Sequence, residues 1–247
     1  MDMPALELSE IMASKIANPP AIVQQAEISS IRLESLQQAA VIMGTQAGMV
    51  RQAKATNELL EKESNKLDRV FNFNAMMLAP NVISPVLTEG RTTYSQNADD
   101  EIRISDRMFK IEKGAKFVPH PPTWRDYLQQ NTTTTKVAPP HFSLLPRNEA
   151  EKMVWDEWVK KGWAEGTEQS GKLFQQGLAR LQRDMVGMIQ YKVLVKQGLV
   201  SAPIVAAANM GTTGGGSQMN VNDQVFRISV PTNLIADPKL WKNYPID

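Results

Sequence analysis

Two segments of this chain repeat apolar and small residues at steps of three and four, and each carries two glycines four residues apart. In the first, running from Pro20 to about Asn65, the stripe is Ala26, Ser29, Leu33, Leu36, Ala40, Met43, Ala47 and Val50, with Gly44 and Gly48 near its middle. In the second, from about Asn148 to Gln197, it begins at Trp155 and Val159, passes Gly162, Gly166 and Ser170, and ends at Met185 and Met188. This period lays one narrow seam along an α-helix. A glycine inside a helix costs about 1 kcal/mol relative to alanine. Close approach of a second helix is the offset that the pattern predicts. We therefore expect two long helices that meet at Gly44, Gly48, Gly162, Trp163 and Gly166. Asn148 has the side chain of an N-cap, and Glu149 and Glu151 follow it in the first turn, where carboxylates favour the positive helix end.

A second feature is a repeat. EIRISDRMFKI (101–111) and QMNVNDQVFRI (218–228) share one pattern: apolar alternation, a pair ending in Asp, then Phe, a basic residue and Ile. Placing tight turns at Ser105-Asp106 and Asn222-Asp223 makes each copy a β-hairpin, because Asn and Asp tolerate left-handed backbone. Ile102, Ile104, Phe109 and Ile111 then share one face, as do Met219, Val221, Phe226 and Ile228. An isolated hairpin is marginal in water. The expected fold is thus α+β: two long helices plus shorter ones, packed on a small antiparallel sheet built from two β-hairpins at about 101–118 and 218–230. Chance resemblance between two ordinary hairpins is the alternative.

The remaining chain divides into a flexible segment at 1–18, a single domain over 19–230 and an extended tail at 231–247. Residues 67–78 are apolar on several sides, which predicts a buried helix. A Pro/Thr-rich stretch at 119–146 reads as loop, Ser201–Asn209 as a strand or extended segment, and Gly211–Gly216 as a connector.

Chemistry is sparse. The chain has no cysteine, which removes thiolate metal sites and cysteine nucleophiles. Its two histidines, His120 and His141, sit beside prolines without metal-ligand spacing. A formal net charge of +1 gives no drive towards nucleic acid. No apolar run of about eighteen residues exists to span a bilayer as a helix. The Gly211–Gly216 run lacks the Gly-Lys-Ser/Thr ending of a phosphate loop. We expect no catalysis, no cofactor, no metal and no small-molecule substrate. Trp155, Trp158 and Trp163 fit core packing, with an exposed interface as the rival reading.

Several segments together resemble a known family. LDRVFNFNAMML (67–78), NVISPVLTEG (81–90), DDEIRISDRMFKIEKGAKFV (99–118), PPTWRDYL (121–128), SLLPRNEAEKMVWDEWVKKGWAEGTEQ (143–169), RLQRDMVGM (180–188) and the 218–228 repeat follow one another as in the DotC family. These are lipoproteins of Dot/Icm-type type IVB secretion systems, with relatives in conjugation machinery. The resemblance covers roughly residues 20–235. It implies a structural subunit of an outer-membrane core complex, facing the periplasm, associated with DotD and DotH and helping place DotH at the outer membrane. It implies no catalysis and no cofactor. The chain shows no lipobox and no cysteine to acylate, so the implied N-terminal lipid anchor belongs to residues outside this sequence. A cell-envelope hydrolase using carboxylates and a cytoplasmic helical adaptor are the alternatives.

Overall fold

The computed structural model describes residues 7–14, 29–78, 80–98, 101–131 and 140–242. The chain is α+β. Among the described residues the helices are α1 (Leu8–Met12), α2 (Ser30–Lys62), α3 (Ser64–Val70), α4 (Arg125–Leu128) and α5 (Glu149–Gln197). The strands are β1 (Met77–Leu78), β2 (Val82–Ile83), β3 (Val86–Ala98), β4 (Glu101–Lys113), β5 (Lys116–Phe117), β6 (Ile204–Gly215) and β7 (Gln218–Val230). Contacts divide the chain, read from sequence as one domain over 19–230, into two compact units. One is Met1–Leu67 with Arg125–Ala179; the other is Asp68–Trp124 with Arg180–Asp247. The continuous helix α5 contributes to both.

In the first unit, Ser29 caps α2 by accepting from the Arg32 amide, and Asn148 Oδ1 accepts from the Glu151 amide at 2.8 Å to start α5. The core joins Ile11 of α1 to Leu36, Ala40, Met43 and Ala47 of α2 and to Trp155 and Val159 of α5. Trp155 is fully buried, and its indole N–H donates to the Ile11 carbonyl at 3.1 Å, which satisfies the one polar atom the ring brings inside. Along α5, Gly171 differs from its neighbouring glycines: a Cβ there would meet nothing within 4 Å. Gly171→Ala is therefore expected to stabilise the protein by about 1 kcal/mol, read as a rise in melting temperature by calorimetry.

The second unit holds all the β structure among the described residues. β1, β2 and β5 form one small antiparallel sheet in the order β1-β2-β5; among the described residues β3 pairs only with β4, and β6 only with β7. This overturns the sheet expected from two joined hairpins. It also moves the turns. Ser105-Asp106 and Asn222-Asp223 lie inside the strands β4 and β7, not at their ends. Each repeat is the return strand of a long two-stranded ribbon, and its partner is the segment just before it. The Gly211–Gly216 run, expected as a connector, lies in β6 up to Gly215.

The physical reason differs between the copies. Asn222 does take left-handed backbone, with φ 56°, but beside a register shift opposite Gly211, whose φ is 72°. It builds a β-bulge instead of a turn. In the first copy the left-handed residue is Thr92 on the neighbouring strand, with φ 47°, and β4 runs straight past it.

Two other expectations fail. Residues 67–78 do not form a buried helix. α3 buries none of its residues, and the chain then enters a 3₁₀ turn at Phe73–Met76 that buries Phe73, and strand β1. Residues 231–242 do not trail as an extended tail. The Ile235 amide donates to Leu199 O at 2.8 Å and the Lys242 amide to Gln197 O at 2.6 Å, which seats this segment at the end of α5. Residues 15–28, 132–139 and 243–247 lie outside the described residues, and with them parts of the expected first helix, loop and tail.

Candidate functional site

The structure brings Gly44, Gly48, Gly162 and Gly166 together where α2 crosses α5. A Cβ built on Gly48 would lie 2.5 Å from the carbonyl oxygen of Trp163 and 3.0 Å from its Cα. On Gly44, Gly162 and Gly166 it would fall closer still to the backbone oxygens of Val159, Val41 and Thr45. All four positions face backbone, which cannot rotate away as a side chain can. Trp163 supplies the main chain that both α2 glycines approach, while its half-buried ring packs on the core. Two further glycines of α5 have the same role within their own units: Gly177 against the Tyr127 carbonyl and Gly187 against Leu87, where a Cβ would lie 2.6 Å from the carbonyl oxygen. Sequence reasoning missed these two because neither has a glycine four residues away.

Where α2 and α5 begin, a buried charged cluster joins them. Arg32 of α2 donates through Nε to Glu151 Oε1 at 3.1 Å and through Nη2 to Oε2 at 3.0 Å. It also donates to the carbonyls of Ser143 and Leu145, the latter at 2.8 Å. The Arg147 amide adds a bond to Glu151 Oε2 at 2.9 Å. Burial pushes the Glu151 carboxyl up, but the hydrogen bonds from Arg32 and from the Arg147 amide, with the charge of both arginines, outweigh it and hold the pKa below its ordinary value. These partners are far apart in sequence and no local pattern announces them. In the second unit, Asp184 of α5 is buried and pairs with Lys113 of β4 and, at 2.9 Å, with Arg183. Both clusters tie a long helix to a neighbouring segment.

The sequence candidates for chemistry are placed as follows. His141 Nδ1 accepts from the Ser143 amide at 3.3 Å and contacts Ser143 Oγ at 2.8 Å, so it caps the 3₁₀ turn Phe142–Leu144. His120 is exposed. No group of three His, Asp or Glu side chains among the described residues is arranged to hold a metal. No helix among them is long and apolar enough to cross a membrane.

What stands out is the surface of the two ribbons. On β4, Phe109 and Ile111 are half-buried against Leu87 and Tyr191. Because β4 is unbroken at Ser105-Asp106, alternation turns Ile102 and Ile104 to the opposite face, where they are 67% and 60% exposed beside Tyr94. The expected common face for these four residues is thus split. On the β6–β7 ribbon the expected face holds. Thr213 Oγ1 lies 2.6 Å from Asp223 Oδ2, and Asn220 Nδ2 donates to the same hydroxyl at 3.5 Å, so these three share one side. The left-handed Asn222 switches the alternation, and Met219 and Val221 join Phe226 and Ile228 on the other side. Met219, Val221 and Phe226 are exposed.

Both ribbons hold large apolar side chains in water, among them Ile102, Ile104, Val221 and Phe226, a kind of surface that marks contact sites with other chains. Residues 30–243 match a family model described as "Type IV secretory system, conjugal DNA-protein transfer". The chain belongs to this T4SS_TraI family and is a type IV secretion component. No curated protein matches it.

Proposed function

We propose that the chain is a non-catalytic structural subunit of a type IVB, Dot/Icm-like outer-membrane core complex, equivalent to DotC. In this reading it faces the periplasm, held at the outer membrane by an N-terminal lipid anchor. It assembles with DotD and DotH and helps position DotH. The observation that carries the reading is the exposure of apolar side chains on both ribbons, since a monomer gains nothing from holding Ile102, Ile104, Val221 and Phe226 in water. Family membership supports the secretion role, and the segment-by-segment resemblance to DotC supports the particular subunit. The ribbons present alternating side chains and free strand edges, which suit recognition by added strands or by apolar faces of neighbouring subunits.

The test is co-purification of secretion-system proteins from cells that express Ile104→Glu or Phe226→Glu. Both variants are expected to keep the parental melting temperature and to recover less DotD and DotH. Normal recovery with both variants would overturn the proposal.

A further inference from the structure

The β6 edge is unlike the other long strand edges among the described residues. Ile204–Gly215 contains no Lys, Arg, Asp or Glu, whereas β3 carries Glu89 and Arg91, β4 carries Arg103, Arg107 and Lys110 among others, and β7 carries Asp223 and Arg227. Charges on an edge strand are the usual defence against pairing with another chain. β6 pairs with β7 on one side and with no strand on the other, among the described residues. Nearly every residue of both strands is exposed, so this ribbon lacks the cover that a two-stranded hairpin needs for stability in water.

From this we infer that β6 pairs with β6 of a second copy of this chain, antiparallel and about a two-fold axis near Ala207. Three features choose that occupant. The run Ala206-Ala207-Ala208 is self-matching: antiparallel pairing about Ala207 sets Ala206 opposite the partner's Ala208 and Ala207 opposite itself, with no bulky or charged side chain in conflict. The pairing also extends the apolar face. Val205, Ala207, Phe226 and Ile228 lie on one side of the ribbon by register, and the two-fold makes this one surface across both ribbons, giving the sheet the extra strands an isolated hairpin lacks. Finally, the geometry stops the contact. The register shifts between Asn209 and Thr213, with Gly211 at φ 72°, end regular pairing at Asn209, and Asp223 and Arg227 guard the outer β7 edge. An isologous contact of this kind closes on itself and does not grow into a filament. The inference stands on the ribbon alone and goes beyond the subunit reading above.

The chain has no cysteine, so single-cysteine variants of the full protein report the contact without background. Ala207→Cys treated with a short bis-maleimide is expected to yield a covalent dimer, because directly opposed residues hold their Cβ atoms about 4.5–5.5 Å apart. Gln224→Cys, on the exposed β7 strand, should stay monomeric under the same treatment. Sedimentation of the unmodified chain should show a dimer that dissociates on dilution. Ala207→Lys should abolish that dimer while leaving the circular dichroism spectrum unchanged. A monomer at every concentration, no cross-link at Ala207, or equal cross-linking at Gln224 would each overturn the inference.

Discussion

Gly166→Leu is expected to destabilise the protein by roughly 3 kcal/mol, the upper part of the range for overpacking, lowering the melting temperature by about 6–12 °C in a chain of this length. Even the first carbon of the new side chain would overlap the Thr45 carbonyl and lie 2.9 Å from the Met49 amide nitrogen. Relief requires α2 and α5 to separate, which loosens the contact of Leu36, Ala40 and Met43 with Trp155 and Val159. Packed interiors do not absorb such a shift cheaply. Calorimetry of Gly166→Leu beside Gly171→Ala isolates the cause, since both change a glycine of the same helix and only one meets a neighbour. An unchanged melting temperature for Gly166→Leu would show that the helices are not held at the distance described here.

Arg32→Ala should cost still more, about 3–5 kcal/mol, because removing one partner of a buried pair leaves the other charge without compensation. Glu151 would keep the Arg147 amide but lose both bonds from the guanidinium. The effect depends on pH with a definite sign. In the parent protein the folded-state pKa of Glu151 is depressed. Its contribution is complete above the ordinary glutamate value of about 4.3, and is lost as pH falls through the lower folded value. In Arg32→Ala both effects of Arg32 that lower that pKa are gone while burial still raises it, so the pKa rises relative to the parent, and the variant is penalised at neutral pH and relieved on acidification. The stability gap between parent and variant, from urea melts, should be widest near pH 7 and shrink below about pH 4. A gap that is small at neutral pH, or that stays constant with pH, would show that Arg32 and Glu151 do not form the pair described.

Much of the helical frame can be read from local pattern. Glycines four apart on a three-and-four seam mark where one helix can sit against another, and Asn148 followed by two glutamates marks a start. The start of α2 at Ser29 has the same kind of signal, a serine that accepts from an amide three residues on. The ribbons show where local pattern stops. The face shared by Met219, Val221, Phe226 and Ile228 follows from the sequence, because a left-handed residue at Asn222 is needed to align them. Whether that residue makes a turn or a bulge does not follow, since the backbone preference of Asn serves both. Pairing depends on the uncharged run 204–215, which precedes β7, and not on the distant copy that looks like it.

The Arg32–Glu151 contact spans 119 residues and leaves no trace in spacing or charge runs. Gly177 and Gly187 are legible only once the axis of α5 is known, because each meets its neighbour alone. The secretion role has a different origin again. It comes from whole segments that resemble a family, not from any residue whose chemistry implies transport.

The reading of the ribbons as assembly surfaces can be tested directly by hydrogen–deuterium exchange of this protein, alone and within the secretion complex isolated from cells. It predicts that amides in 86–113 and 204–230 exchange more slowly in the complex, while those along α2 and α5 change little. If both ribbons exchanged equally fast in the two states, and protection appeared elsewhere, the ribbons would not be where this protein meets its neighbours.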